Sequence, residues 1–182
     1  MPNSGYLMLN DFHISTAVPE DLPALVNLIN RAYRGEESKK GWTTEADLLD
    51  GIRTDEEALA NILGKPGTTI LKCCNHLNEI AGCVCLEQKK GKLYLGLLTV
   101  SPTMQAKGIG KKLLDVASAF AAQINCPKIE MTVIAVRQEL IQWYERHGYC
   151  QTGEKRPFPY DDKFSAAKQP LEFIVLEKIL HD

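Results

Sequence analysis

The sequence predicts an α/β (α+β) fold: a single mixed, mostly antiparallel sheet of about seven strands with helices on both faces. Three observations predict it. Between residues 68 and 100, apolar runs alternate with short polar turns, the pattern of an antiparallel meander. Segments of helical periodicity precede and follow that meander. Between its last run and the next helix lies a Ser-Pro turn and a short polar loop holding Gly108 and Gly110.

In chain order, Phe12 to Ala17 alternates enough for an opening strand, and Pro19-Glu20-Asp21 starts a helix with acids at its positive end. Leu22, Leu25, Val26, Ile29 and Ala32 form one apolar stripe on that helix, which runs to about Tyr33. The polar segment Arg34 to Thr44 is too charged for a core and too short for a linker. Glu45 to Leu49 and Asp55 to Leu63 read as short helices, the second capped by Thr54 with Glu57 three residues on. Thr68–Cys74, Ile80–Glu87 and Leu93–Val100 are the meander strands. The helix after the glycine loop carries Leu113, Leu114, Ala117, Phe120, Ala121 and Ile124 along one side. Lys128 to Val136 reads as a strand, and Gln138 to His147 as a helix ended by Gly148. Tyr149 to Gly153 starts another strand, Pro157, Pro159 and Pro170 bracket a loop, and Glu172 to Ile179 closes the sheet.

With 182 residues, the chain suits one domain over residues 1–182 with a real core. A 45% hydrophobic and 24% charged composition is that of an ordinary globular protein. The 21 Lys and Arg against 23 Asp and Glu leave a net charge of −2, which offers no general attraction to nucleic acid or anionic membrane. No apolar run approaches the ~20 residues of a membrane span. Met1 to Asn10 lacks the basic and apolar regions of a secretory signal, so the expected compartment is cytoplasmic. The six cysteines, Cys73, Cys74, Cys83, Cys85, Cys126 and Cys150, show no C-x-x-C and no paired histidine spacing. They read as buried reduced thiols, and no metal is expected.

The glycine loop is the chemical centre of the sequence. A strand, a glycine loop and a helix N-terminus in that order make an anion site, because free backbone N–H groups and the helix dipole converge there. Lys107, Lys111 and Lys112 add positive charge suited to a phosphorylated ligand. A P-loop ending at Gly110-Lys111 would need glycine at position 105 and a hydroxyl at 112, where Gln105 and Lys112 stand. A dinucleotide loop would need a third glycine where Leu113 stands. The spacing that fits is Q/R-x-x-G-x-G/A, filled by Gln105, Gly108 and Gly110.

With that loop the chain resembles the GNAT superfamily of N-acetyltransferases. Leu140-Ile141-Gln142-Trp143-Tyr144-Glu145-Arg146-His147-Gly148-Tyr149 is similar to the family's helix–turn–strand element. The resemblance runs from about Phe12 to Leu180, by layout more than by motif in the first third. It implies the acyl-CoA N-acyltransferase fold, with acetyl-CoA as co-substrate between the fourth and fifth predicted strands. By resemblance, backbone amides of Leu98, Thr99 and Val100 hold the pantetheine and the oxyanion. Gln105, Ala106, Lys107, Gly108, Ile109, Gly110 and Lys111 then cradle the diphosphate.

The implied reaction is direct attack of a primary amine on the thioester through a tetrahedral intermediate. It needs a neutral amine, oxyanion stabilisation and a proton for the departing thiolate. Tyr144 matches the family's general acid, although a tyrosine there also packs helix on sheet. Many members carry asparagine where Arg137 stands; here Arg137 reaches a phosphate or pairs with Glu139 or Glu145 on the surface. The base is the weakest assignment, because the fourth strand carries no carboxylate. Glu130 and Glu87 are the nearby choices, and both read as solvated strand-edge charges.

The family's acceptor pocket maps onto Arg34 to Thr44 and Lys155 to Ala167. Glu36, Glu37 and Glu45 suit a cationic amine, whereas Arg34, Lys39, Lys40, Lys155 and Arg156 suit a carboxylate. Trp42, Phe158, Tyr160 and Phe164 offer aromatic walls. The mixture of signs favours a small-molecule amine; the protein itself is expected to be a monomer or homodimer, with no nucleic acid or membrane partner. A protein lysine or N-terminal acetyltransferase and a non-catalytic acyl-CoA-binding module are the alternatives.

Overall fold

A computed structural model describes residues 11–41 and 43–181. The readings placed on Met1 to Asn10 and on Trp42 lie outside them. β1 (His13–Thr16) leads through a 3₁₀ turn at Pro19–Asp21 into α1 (Leu22–Tyr33) and the short α2 (Gly35–Ser38). β2 (Leu49–Asp50) and α3 (Glu56–Leu63) precede the meander of β3 (Thr68–Cys74), β4 (Ile80–Lys89) and β5 (Lys92–Val100). Then follow α4 (Ile109–Gln123), β6 (Lys128–Ile134), α5 (Gln138–Arg146), β7 (Cys150–Pro157), β8 (Ala166–Ala167) and β9 (Glu172–Ile179). The seven-stranded sheet runs β1-β3-β4-β5-β6-β9-β7, and β2 pairs with β8 in a separate two-stranded ribbon. Every neighbouring pair is antiparallel except β5 and β6.

The two faces of the sheet follow from strand alternation. Cys83 and Cys85 of β4 point to one face, where Leu25, Leu28 and Ile29 of α1 and Leu59 of α3 cover them. Val84 and Leu86 point to the other, beneath Leu113, Leu114 and Ala117 of α4 and Ile141 of α5. Each fully buried Leu or Ile in these layers contributes about 1.5–3 kcal/mol. Among the described residues no helix is long and apolar enough to cross a membrane.

Four local expectations are corrected. Glu45 to Leu49 is not a helix but a turn that delivers Leu49 to β2, with Lys168 donating its amide to the Leu48 carbonyl at 2.9 Å. Pairing of Leu49 and Asp50 with Ala167 and Ala166 of β8 takes the end of the segment out of any helix. The cap of α3 is Asp55, whose carboxylate accepts from the Ala58 amide at 2.8 Å; Thr54 is buried one residue earlier. β6 stops at Ile134, because Val136 has already turned out to solvent. Cys150 is exposed on β7, while the other five cysteines are buried as expected.

Candidate active site

β4 and β5 fall out of step once. Cys83 opposes Thr99 and Cys85 opposes Gly96, so Leu97 and Leu98 together face Val84. This is a β-bulge, and it forces Leu97 to a φ of 50° in the left-handed region. The hydroxyl of Tyr33, at the end of α1, donates to the Leu98 carbonyl. On the other side, β6 pairs with β5 only at Leu93–Ile129 and Tyr94–Glu130. Beyond Tyr94 the two strands part, and the sheet opens.

Amides alternate in direction along a strand. The Ser101 amide donates to the Ala81 carbonyl at 2.8 Å, so Val100 turns its N–H away from β4 into the opening. By the same alternation Thr99 faces β4, and its side chain is wholly buried with Oγ1 donating to the Leu97 carbonyl at 2.9 Å. Of the predicted amide set, Leu98 and Val100 line the opening and Thr99 does not.

The glycine loop closes one end of this gap. Ala106 (φ 65°) and Gly108 (φ 77°) both take the left-handed conformation, with Gly108 as the N-cap of α4. Glycine bears no steric cost at 108, and left-handed turns of this kind are what build backbone anion nests. Gly110 lies so close to α5 that a Cβ would sit 3.2 Å from the Trp143 ring. Gln105 Nε2 donates to Thr43 Oγ1 at 3.1 Å and to the Val100 carbonyl at 3.3 Å, tying loop to strand. Lys111 pairs with Asp115 at 2.6 Å, and Lys112 Nζ donates to the Phe12 carbonyl. A cavity of about 380 Å³ lies over the loop, lined by Val100, Gln105, Ala106, Gly108, Ile109, Gly110 and Lys111. Lys107, exposed on the loop, is outside that lining. A helix N-terminus beside a glycine-made gap and a cavity fits the diphosphate of a coenzyme A.

A second cavity of about 390 Å³ opens on the opposite side of the parted strands. The two cavities share Tyr33, Leu98, Leu140 and Tyr144. Tyr144 is 6% exposed and packs edge-on against Trp143 and Tyr149. Its hydroxyl makes no hydrogen bond among the described residues, and the residue lines both cavities. Burial pushes this phenol well above its ordinary value, and burial with the nearby Glu45 charge pushes Tyr33 up to about 12.

Several predicted charges lie elsewhere. Glu130 is no solvated edge charge: it is 4% exposed and clamped by Lys92 at 2.8 Å and Arg156 at 3.0 Å. Burial alone would raise its carboxyl, but those two cations hold it below the usual range. Glu87 pairs with Lys65 on the far part of β4. Glu36 pairs with Lys39, Glu37 with Arg31, and Lys155 with Glu172, which leaves them as surface pairs. Arg137 reaches neither Glu139 nor Glu145 but turns inward to Glu45, 3.6 Å away. Of the predicted acceptor residues, Arg34, Glu45, Phe158 and Phe164 line the second cavity. Tyr160 does not; its hydroxyl is tied to the Leu171 backbone. Sequence reasoning missed Tyr33, Arg53, Tyr94 and Phe173 in that cavity, and Trp143 and His147 in the first. Only their convergence in space marks them.

The match to known proteins agrees with this geometry. The model of the acetyltransferase (GNAT) family matches residues 22–149. The chain belongs to the GNAT family. No curated protein matches it in sequence. Among solved structures, the ribosomal-protein-S18-alanine N-acetyltransferase from Escherichia coli superposes with a TM-score of 0.70 at 16% identity, over 94% of this chain and 95% of that one. An N-acetyltransferase from Staphylococcus aureus Mu50 gives 0.69 at 15%, over 93% and 99%. Nourseothricin acetyltransferase gives 0.67 at 16%, over 93% and 98%. At such identities these relatives share the GNAT fold with this chain; their acceptors are their own.

Proposed function

We propose that this GNAT protein is an N-acetyltransferase that moves an acetyl group from acetyl-CoA directly to the primary amine of a small molecule. One observation carries the reading: two cavities, one over the glycine loop and one among polar and aromatic side chains, meet at Tyr33, Leu98, Leu140 and Tyr144. Acetyl-CoA supplies an activated acyl thioester when bound. The loop from Gln105 to Lys111 grips the diphosphate through main-chain amides. The inward Val100 amide stabilises charge developing on the acyl oxygen. Leu98 lends its carbonyl to Tyr33 and so keeps the bulge, and the gap, open.

Tyr144 is the proposed general acid, protonating the departing sulfur. A phenol above its ordinary 10.0 is a weaker acid than a free thiol of about 8.5, yet burial raises thiols too. Within this fold burial pushes Cys85 up to about 11 and Cys83 to about 12. A thiolate leaving group held at the same buried junction would be shifted in the same direction. Glu130 is clamped by Lys92 and Arg156 and Glu45 is shared by two arginines, so solvent is the proposed acceptor of the amine proton.

The test is calorimetry with coenzyme A and acetyl-CoA, followed by thiol release from acetyl-CoA with pooled amines. Binding with turnover is expected. Well-folded protein that gives no heat with either ligand overturns the reading, and binding without thiol release from any amine converts it to a binding module.

A further inference from the structure

We infer that the acceptor is an aminocarboxylate, an amine of amino-acid size whose carboxylate is held by Arg53 and Arg137; this rests on the acetyl-transfer reading above. The charged groups lining the second cavity are Arg34, Glu45, Arg53, Arg137 and Asp161. Arg34 is fully engaged: Nη1 donates to the carbonyls of Asp50, Ile52 and Phe164 at 3.2, 3.3 and 2.8 Å, and Nη2 meets Glu45 at 3.3 Å. Asp161 is exposed, and its Oδ1 accepts the amides of Lys163 and Phe164 at 2.8 and 3.0 Å. Both are occupied in holding the fold.

Arg53 and Arg137 are different. The Arg137 side chain is 9% exposed, yet its guanidinium donates no hydrogen bond among the described residues. Its ion pair with Glu45, at 3.6 Å, is too long for one. Arg53 anchors its backbone amide on Asn30 Oδ1 at 2.7 Å and lays its guanidinium 5.9 Å above the Tyr33 ring, with no carboxylate partner among the described residues. A guanidinium carries five N–H donors, and at Arg53 and Arg137 most of them are left for solvent or a ligand in this open cavity. A carboxylate ligand meets them in pairs. With Glu45 shared by Arg34 and Arg137, the cavity keeps an excess of positive charge. That excess repels polyamines and disfavours the ammonium form, so the nitrogen arrives neutral at the Tyr33–Tyr144 junction. Tyr94, Met131, Phe158 and Phe173 supply an apolar wall for the rest of the molecule. A volume of about 390 Å³ is at the small end of ligand sites, in keeping with an amino acid.

The experiment compares thiol release from acetyl-CoA with each protein amino acid and with its decarboxylated amine. At least one carboxylate-bearing member is expected to exceed its decarboxylated twin at least tenfold in kcat/KM. Arg53→Gln and Arg137→Gln should each collapse that ratio toward one. A second readout needs no turnover: with coenzyme A present, saturation-transfer NMR should detect N-acetyl amino acids but not the matching acetamides. Equal or better use of the decarboxylated amines, or an undiminished ratio in both variants, overturns the aminocarboxylate assignment while acetyl transfer stands. Absence of thiol release from any amine overturns the parent reading instead, and the NMR arm then decides the cavity's ligand alone.

Discussion

Tyr144 sits where the two cavities meet, with a hydroxyl that makes no hydrogen bond among the described residues. Tyr144→Phe removes one oxygen and keeps the ring packing against Trp143 and Tyr149. Turnover is expected to fall tenfold or more, at least about 1.4 kcal/mol of barrier, while melting temperature and coenzyme A affinity stay nearly unchanged. Unaltered turnover removes Tyr144 from the mechanism. As the proposed acid, the phenol would also set the alkaline side of the pH profile. In the proposed mechanism its acid form is the working one, and its raised pKa keeps it protonated, so no fall in kcat/KM is expected from it below about pH 10. The rise at lower pH follows the acceptor amine losing its proton. A descending limb near pH 8 would point to another group as the acid.

At the scale of elements, the site is a misfit between strands that three neighbours preserve. The bulge at Leu97–Leu98 separates β5 from β6, Tyr33 of α1 holds the Leu98 carbonyl, and α4 presses its first turn on β4. That last contact depends on Gly82, where a Cβ would meet the Thr99 carbonyl oxygen at 2.8 Å and Ile109 at 3.0 Å. Backbone on one side and a buried helix turn on the other leave little room to yield. Gly82→Ala should destabilise by about 1–3 kcal/mol and weaken coenzyme A binding, because the glycine loop moves with α4. Thermal melts and calorimetry on the variant check both effects; a stable protein with full affinity would detach the loop's placement from this contact.

Across the whole molecule, buried charge and buried thiols give two global tests. Glu130 joins Lys92 on β5 and Arg156 on β7 from its seat on β6, a cross-sheet clamp. Its folded pKa lies below the ordinary 4.5, so this stabilisation is complete above that pH and is lost as pH falls through the folded value. Glu130→Gln should cost about 1–2 kcal/mol at pH 7, discounted for partners that are partly exposed, and less near pH 3. Denaturant melts at both pH values measure the difference. Thiol labelling of the native protein should modify Cys150 quickly and the five buried cysteines only on unfolding. Rapid reaction of two or more thiols would contradict the packing of β3 and β4.

The sequence by itself determined the meander, the order of helices and the glycine loop, because these depend on periodicity and on backbone freedom written in neighbouring residues. Gln105, Gly108, Gly110 and Tyr144 were legible for the same reason: each belongs to a short motif with fixed spacing. Tertiary structure alone decided where β5 parts from β6, that Arg137 turns inward to Glu45, and that Glu130 serves the sheet and not the chemistry. It also decided that Tyr33 and Arg53, 20 residues apart in the chain, face one cavity. Local propensity sees only nearby residues, whereas a bulge, a buried ion pair and a cavity wall are made by segments that meet only after the sheet has closed.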